Sequence, residues 1–262
     1  MVLRRARTWV GERILAAFLS LCLTLARCLA LARWRGAPFF ARSCAERAWR
    51  YIGTGSWREA IFFGTLAVAA DPSYPHGYRM LGLAYLRAGD HARARGAYEQ
   101  GSTIAPGEPT LLVALGDLER ALERYAEAEP LYRRALELEP QNVEALWALG
   151  QSLRPQGRLD EAEAIFAQAL GVAPDHGRTI AAVAGIRIDQ HDHQGALRLL
   201  GEAVKRRPED AFLRYSLAHA LARTGDLRAA SDEARRALEL EPDNETYEKF
   251  RQRLLRSTES HS

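Results

Sequence analysis

The sequence predicts an all-α fold made of six copies of one helix–turn–helix unit, and three observations predict it. The string ALELEP stands at residues 135–140 and again at 237–242, 102 positions further on. A third of that distance is 34, and Pro72, Pro106, Pro140, Pro174, Pro208 and Pro242 occupy every step of a 34-residue grid. The chain holds eleven prolines in 262 residues, so five further coincidences on one grid have a chance probability on the order of one in ten million. The third observation is a set of small residues at fixed places. With the proline as place 32, units begin at 41, 75, 109, 143, 177 and 211, and place 20 is alanine in all six (Ala60, Ala94, Ala128, Ala162, Ala196, Ala230).

Within each unit the elements follow from their residues. Place 27 holds Ala67, Gly101, Ala135, Ala169, Ala203 and Ala237, and place 8 holds Ala48, Gly82, Gly116, Gly150, Ala184 and Ala218. Such invariably small places mark helices that cross too closely for larger side chains. The fillers are Leu81, Leu115, Leu149, Val183 and Leu217 at place 7, with Tyr98, Tyr132, Phe166 and Leu200 at place 24. Their i, i+3, i+4, i+7 spacing is helical and not strand-like. Gly89, Gly157 and Gly225 sit mid-unit, where the first helix is expected to end on a left-handed residue. The proline then stops the second helix, because its ring and missing N–H cannot continue the hydrogen-bond ladder. Pro155 follows Arg154 at the end of one first helix; a proline disfavours helical geometry in the residue before it, so that helix is expected to stop about a turn early.

This pattern resembles the tetratricopeptide repeat, over roughly residues 41–244. Units 75–108, 109–142, 143–176 and 211–244 meet its small, large and proline places in order, and unit 177–210 does so with His191 in place of the mid-unit glycine. Unit 41–74 is degenerate, with Arg47 where a core leucine belongs and Gly64 where an aromatic belongs. The resemblance implies a right-handed solenoid in which each unit covers its neighbour, and a platform for binding rather than one particular activity. The C-terminal end then needs a polar cap. Residues 245–256 supply a capping helix, with Tyr247, Phe250 and Leu254 turned inward, and residues 257–262 form a small polar tail expected to be disordered.

Residues 1–36 stand outside the grid as an N-terminal hydrophobic segment. Ile14 to Ala26 is thirteen residues without a charge, and admitting Arg27 extends the run to Ala32, nineteen residues, enough to span a bilayer. Phe18 and Leu25 lie within it, while Trp9 and Trp34 bracket it at roughly 37 Å for a continuous helix, as an aromatic belt at each interface would require. The expectation is a retained single-pass anchor. Cleavage after residues 30–32, a helix lying in the membrane plane and an organelle presequence remain open beside it. Lipidation at Cys22 is disfavoured by the large Leu21 before it. Arg4, Arg5, Arg7 and Arg13 precede the run, and Arg33, Arg35, Arg42 and Arg47 follow it. The nearer, denser N-terminal cluster favours N-in with the repeats outside, hence the periplasmic face of a bacterial inner membrane.

Charge excludes a nucleic-acid reader. The net +3 divides into +6 for residues 1–35 and −3 for the rest, so the repeats carry no global basic field. The three cysteines, Cys22, Cys28 and Cys44, form no disulfide framework and read as small apolar fillers. No phosphate loop or activated nucleophile is present, so no enzyme and no cofactor are expected. The sharpest metal candidate is His191-Asp192-His193 with Asp175 and His176 nearby, but zinc needs three or four converging ligands, and a solvated turn is the plainer reading.

What remains is a surface. The resemblance places the concave face on first helices, at places 2, 5, 9, 12 and 13. Those hold Arg79, Leu83 and Arg87; Val113, Asp117 and Arg120; Glu144, Trp147, Gln151 and Arg154; Arg178 and Asp189; and Phe212, Tyr215, His219 and Arg223. Arginine and aromatics dominate binding hot spots. Places 2 and 5 are not core-filling, so Trp147, Phe212 and Tyr215 are expected to await a partner's extended or helical peptide with apolar anchors and carboxylates. The lysines and asparagines of the family's chaperone-tail clamp are absent, which argues against a co-chaperone. The sequence therefore points to a membrane-anchored scaffold assisting a membrane or secretion complex; an exported soluble or lipid-linked assembly factor resembling pilotins is the rival, and carbonate washing of membranes separates the two. Deleting residues 1–36 should leave a soluble helical protein, read by circular dichroism; a full-length chain soluble without detergent and beginning at Met1 would contradict the anchor.

Overall fold

A computed structural model describes residues 36–259, all helix and connecting turns. The chain divides into two bodies at Pro140/Gln141. The first holds α1 (Ala37–Gly53), α2 (Trp57–Ala70), α3 (Pro75–Arg87), α4 (His91–Ile104), α5 (Pro109–Ala121) and α6 (Tyr125–Leu138). The second holds α7 (Val143–Leu153), α8 (Leu159–Val172), α9 (Gly177–Asp189), α10 (His193–Arg206), α11 (Ala211–Arg223), α12 (Leu227–Leu240) and α13 (Glu245–Glu259). From α3 onward every first helix begins at place 1, and every second helix, from α2 onward, runs from place 17 to place 30, two residues before its proline. The expected membrane residues Trp9, Ile14, Phe18, Leu25 and Trp34 lie outside the described residues, and among those described no helix is long and apolar enough to cross a membrane.

The core explains why place 8 alternates between glycine and alanine. A Cβ on Gly82 would come within 2.4 Å of the Tyr98 ring, one on Gly116 within 2.6 Å of Tyr132, and one on Gly150 within 2.4 Å of Phe166. Those rings are at place 24 of the same unit and are almost wholly buried. Where place 24 is not aromatic (Gly64, Leu200, Ala234), place 8 is alanine (Ala48, Ala184, Ala218). In the first unit even place 24 must be bare, because a Cβ on Gly64 would meet the backbone of Leu81 at 2.9 Å. The degeneracy of that unit is thus partly a packing solution. Arg47, the other irregular residue, is exposed and lies over the Phe63 ring at 5.5 Å. Cys44 is buried among alanines, and burial pushes its thiol up to about 11.

The turns hold a second regularity. Place 15 is left-handed in all six units, at Gly55, Gly89, Glu123, Gly157, His191 and Gly225, with φ between 58° and 91°. Glu123 and His191 adopt it despite a Cβ, at a cost of about 1 kcal/mol each. The turn geometry wins over residue preference because the following helix must return antiparallel. At Pro155, α7 ends at Leu153, two places before its counterparts, and Arg154–Gln156 form a 3-10 turn. Arg154 itself keeps helical dihedrals (φ −57°, ψ −51°), correcting the expectation that proline would displace it: the strain goes into tightening the last turn.

At the C-terminus α13 buries Tyr247, Phe250 and Leu254 as its spacing predicts. It continues to Glu259, three residues into the segment expected to be disordered. Tyr215 meets this cap: its ring stacks on Tyr247 at 4.7 Å and lies edge-on to Phe250 at 5.3 Å. The expectation that place 5 contributes nothing to the fold is therefore corrected here. The last repeat has no following first helix, and Tyr215 covers the aromatic residues of the helix that replaces it.

Two expectations follow. Gly150→Ala should lower unfolding free energy by about 2 kcal/mol through overpacking, and combining it with Phe166→Leu should cost at least about 1 kcal/mol less than the two changes summed. Additivity in urea unfolding would show that the ring does not set the limit. Tyr215→Ala should cost about 2 kcal/mol as a truncated, partly buried ring, whereas Phe212→Ala should stay within about 0.5 kcal/mol. Equal losses would place Tyr215 outside the cap.

Candidate functional site

The ten expected partner-binding residues fall four in the first body (Arg79, Leu83, Arg87, Arg120) and six in the second (Trp147, Arg154, Phe212, Tyr215, His219, Arg223). Local packing sorts them by how much chemistry each has left to offer.

In the first body, Arg79 stands out. Its guanidinium is carried on α3 beside a recess of about 450 Å³ lined by Glu46, Trp49, Arg50, His76, Arg79 and Met80. Nη2 donates to Nδ1 of His76 at 3.1 Å, so that nitrogen carries no proton. Nε is buried and has no acceptor, and among the described residues no carboxylate lies within ion-pair distance of Arg79. Burial, and then the charge of Arg79, hold His76 below the ordinary histidine value; burial likewise holds Arg79 below its own. Arg79 is thus a partly desolvated cation on the wall of the recess that no carboxylate of the described residues answers. Trp49, 58% exposed, supplies an apolar wall.

The other three residues offer less. Leu83 is half-buried against two apolar clusters, so its side chain serves the fold more than its place suggests. Arg87 is exposed. Arg120 is committed to an internal triad: it donates to Asp117 at 3.1 Å, and the Tyr132 hydroxyl also donates to Asp117, at 2.9 Å. Burial, reinforced by Asp117, pushes the Tyr132 phenol up.

In the second body the first helices are joined by a ladder of ion pairs between successive units. Arg178 donates to Glu144 at 2.7 Å, and its guanidinium covers one side of the Trp147 ring at 4.6 Å. Arg154 and Arg223 both reach Asp189, each at 3.3 Å. Gly185 makes room for the first of these, since a Cβ there would stand 3.1 Å from the Arg154 guanidinium. One carboxylate thus serves two cations, leaving one positive charge in excess. His219 stacks on Phe250 at 5.3 Å, and Phe212 stays 37% exposed.

The His191–His193 turn caps the helix that follows it. Asp192 caps α10 by accepting from the Gly195 N–H at 2.9 Å, and among the described residues no three histidine, cysteine or acidic side chains converge on a metal-sized space. Sequence reasoning missed Glu119, 3% exposed, which pairs with Arg95 and, at 3.7 Å, with Arg124. The available signal was its place: a carboxylate at place 11, where Tyr51, Tyr85, Leu153 and Leu221 stand in four of the other units and Arg187 in the fifth.

Comparison with known proteins agrees with this geometry. Tetratricopeptide repeat family models match residues 46–109 and 113–176 and residues 187–254. Among solved structures, the chain resembles a thermophilic repeat protein of Thermus thermophilus (18% identity, 70% of this chain and 99% of that one, TM-score 0.61). It also resembles pilF of Pseudomonas aeruginosa (15% identity, 83% and 99%, TM-score 0.62). A third likeness is to a structure of the APC/C Cut9–Hcn1 hetero-tetramer (17% identity, 89% of this chain but 46% of that one, TM-score 0.65). At these identities the likeness is one of fold. The matched family models span most of the chain, and the chain belongs to the tetratricopeptide repeat family.

Proposed function

We propose that the chain is a membrane-tethered adaptor that captures a partner protein through an extended or helical segment carrying carboxylates beside apolar anchors, in the assembly of a membrane or secretion complex. A tetratricopeptide repeat protein presents such a surface without chemistry of its own. The tether is the Ile14–Ala32 run, and the capture surface is the first-helix face.

The observation that carries the reading is Arg79. Its buried Nε lacks an acceptor, whereas Arg120, Arg154 and Arg223 already hold carboxylates of the chain itself. A partner's acid reaching the Arg79 guanidinium from the recess meets a cation that holds no carboxylate of its own. At the other arginines it must first displace an existing pair. Trp49 and Phe212 are then apolar contacts flanking charge in the first and second bodies, and Trp147 is partly spent under Arg178.

The test uses a library of free hexapeptides bearing two acidic residues and one leucine, phenylalanine or tryptophan, titrated against the full chain. Arg79→Met should weaken the best binders at least tenfold, about 1.4 kcal/mol, with the melting temperature unchanged or raised because a poorly satisfied buried cation is removed. Binding that survives this change, and is lost when Arg133 and Arg134 on α6 are reversed to glutamate, would move the capture surface to the second helices.

A further inference from the structure

The first helix of the first unit is longer than the repeat requires. The first helices α3, α5, α7, α9 and α11 begin at place 1, but α1 starts four residues sooner, at Ala37. That extra turn carries Phe39, which is 79% exposed, the most exposed large apolar side chain among the described residues. It is not a residue the fold uses. Ala37, Ala41, Cys44, Ala45, Ala48 and Ile52 form the buried side of α1, and Phe39 stands opposite them at helical spacing, with Arg42, Glu46 and Arg50. Phe39, Glu46 and Arg50 are exposed and Arg42 is open on the same side. Neither Arg42 nor Arg50 has an ion-pair partner among the described residues; Glu46 lies between them and Arg50 lines the recess beside Arg79, so the aromatic and cationic part of this face is its N-terminal end, Phe39 with Arg42.

We propose that the N-terminal end of this face of α1 rests on an anionic bilayer surface, with Phe39 in the headgroup layer and Arg42 on lipid phosphates. The inference rests on the membrane-tether reading above and adds where the first repeat sits. Its geometric basis is reach: from Ala32, the end of the apolar run, to Ala37 the chain advances five residues, which span at most about 18 Å. A run ending at the bilayer boundary therefore keeps the start of α1 within that distance of the interface. Its chemical basis is the pairing of an exposed aromatic with a cation: aromatic rings favour the interfacial layer, and basic side chains beside an anionic leaflet are attracted to its phosphates.

The experiment is hydroxyl-radical footprinting of the full chain reconstituted into phosphatidylglycerol-containing vesicles, after flotation shows that it is bound. Phe212 in the second body, 37% exposed, is the internal reference. Phe39 should oxidise at least about fivefold more slowly than Phe212, despite its greater exposure in the free chain. An Arg42→Glu variant, with an unchanged melting temperature, should still float but lose that protection. A chain that floats while Phe39 oxidises as fast as Phe212 or faster overturns the inference and leaves the tether standing. Protection that persists in the charge-reversed variant and on pure phosphatidylcholine points to cover by the chain's own N-terminal segment or a second copy, and also overturns it. A chain that does not float removes the tether, and the inference with it.

Discussion

The contact between places 8 and 24 of one unit governs how the rest of the chain can be written. A second helix that presents an aromatic ring to its own first helix leaves no volume for even one methyl group opposite, as Gly82, Gly116 and Gly150 show at 2.4–2.6 Å. Interiors this dense have no slack to absorb an added atom, so the two places vary together, one small when the other is large. The other positions inherit that separation. Alanine at place 20 is fully buried in all six units, and the 34-residue step is kept because a longer or shorter second helix would carry the ring out of line.

Charge follows a different logic. Where an acid is enclosed, as Glu119 is, the fold brings arginines to it, because a buried lone carboxylate costs several kcal/mol, on the order of 3–5 when its partner is removed. Four arginines on second helices, Arg133, Arg134, Arg235 and Arg236, are paired with acids three or four residues away on the same helix, pairs that contribute only about 0.3–0.5 kcal/mol each. Arg79 fits neither pattern. It is partly desolvated and answered by the imidazole of His76, with no carboxylate of the described residues within ion-pair distance.

Much of the fold was legible because it is encoded by period. The proline grid, the alanines of place 20 and the inward residues of α13 all depend on spacing alone, and from α2 to α12 the helices begin where spacing puts them. What spacing could not carry was any feature decided by a neighbour. Glu123 and His191 are left-handed because of the turn they occupy and against their own preference. Tyr215 belongs to the cap because Tyr247 and Phe250 arrive from a helix outside the repeat grid. In the candidate site, the residue types were readable, but the distinction between Arg79 and Arg120 was not. Both are arginines on first helices, and only the position of Asp117 within 3.1 Å of Arg120 separates them.

The ion pairs of the second body have one further property. Glu144 and Arg178 stand 34 residues apart, as do Asp189 and Arg223, with Arg154 and Asp189 35 apart, so each pair links nearly equivalent places of consecutive units. Such links act along the stacking direction, on one side only, while the apolar core occupies the middle. The tilt of each unit on the next therefore answers to two springs of different kinds, one sensitive to dissolved ions and one indifferent to them. Salt that shortens the Debye length to about 3 Å at 1 M slackens the first without touching the second. Raised ionic strength therefore weakens the paired side of each junction while the apolar packing still holds it.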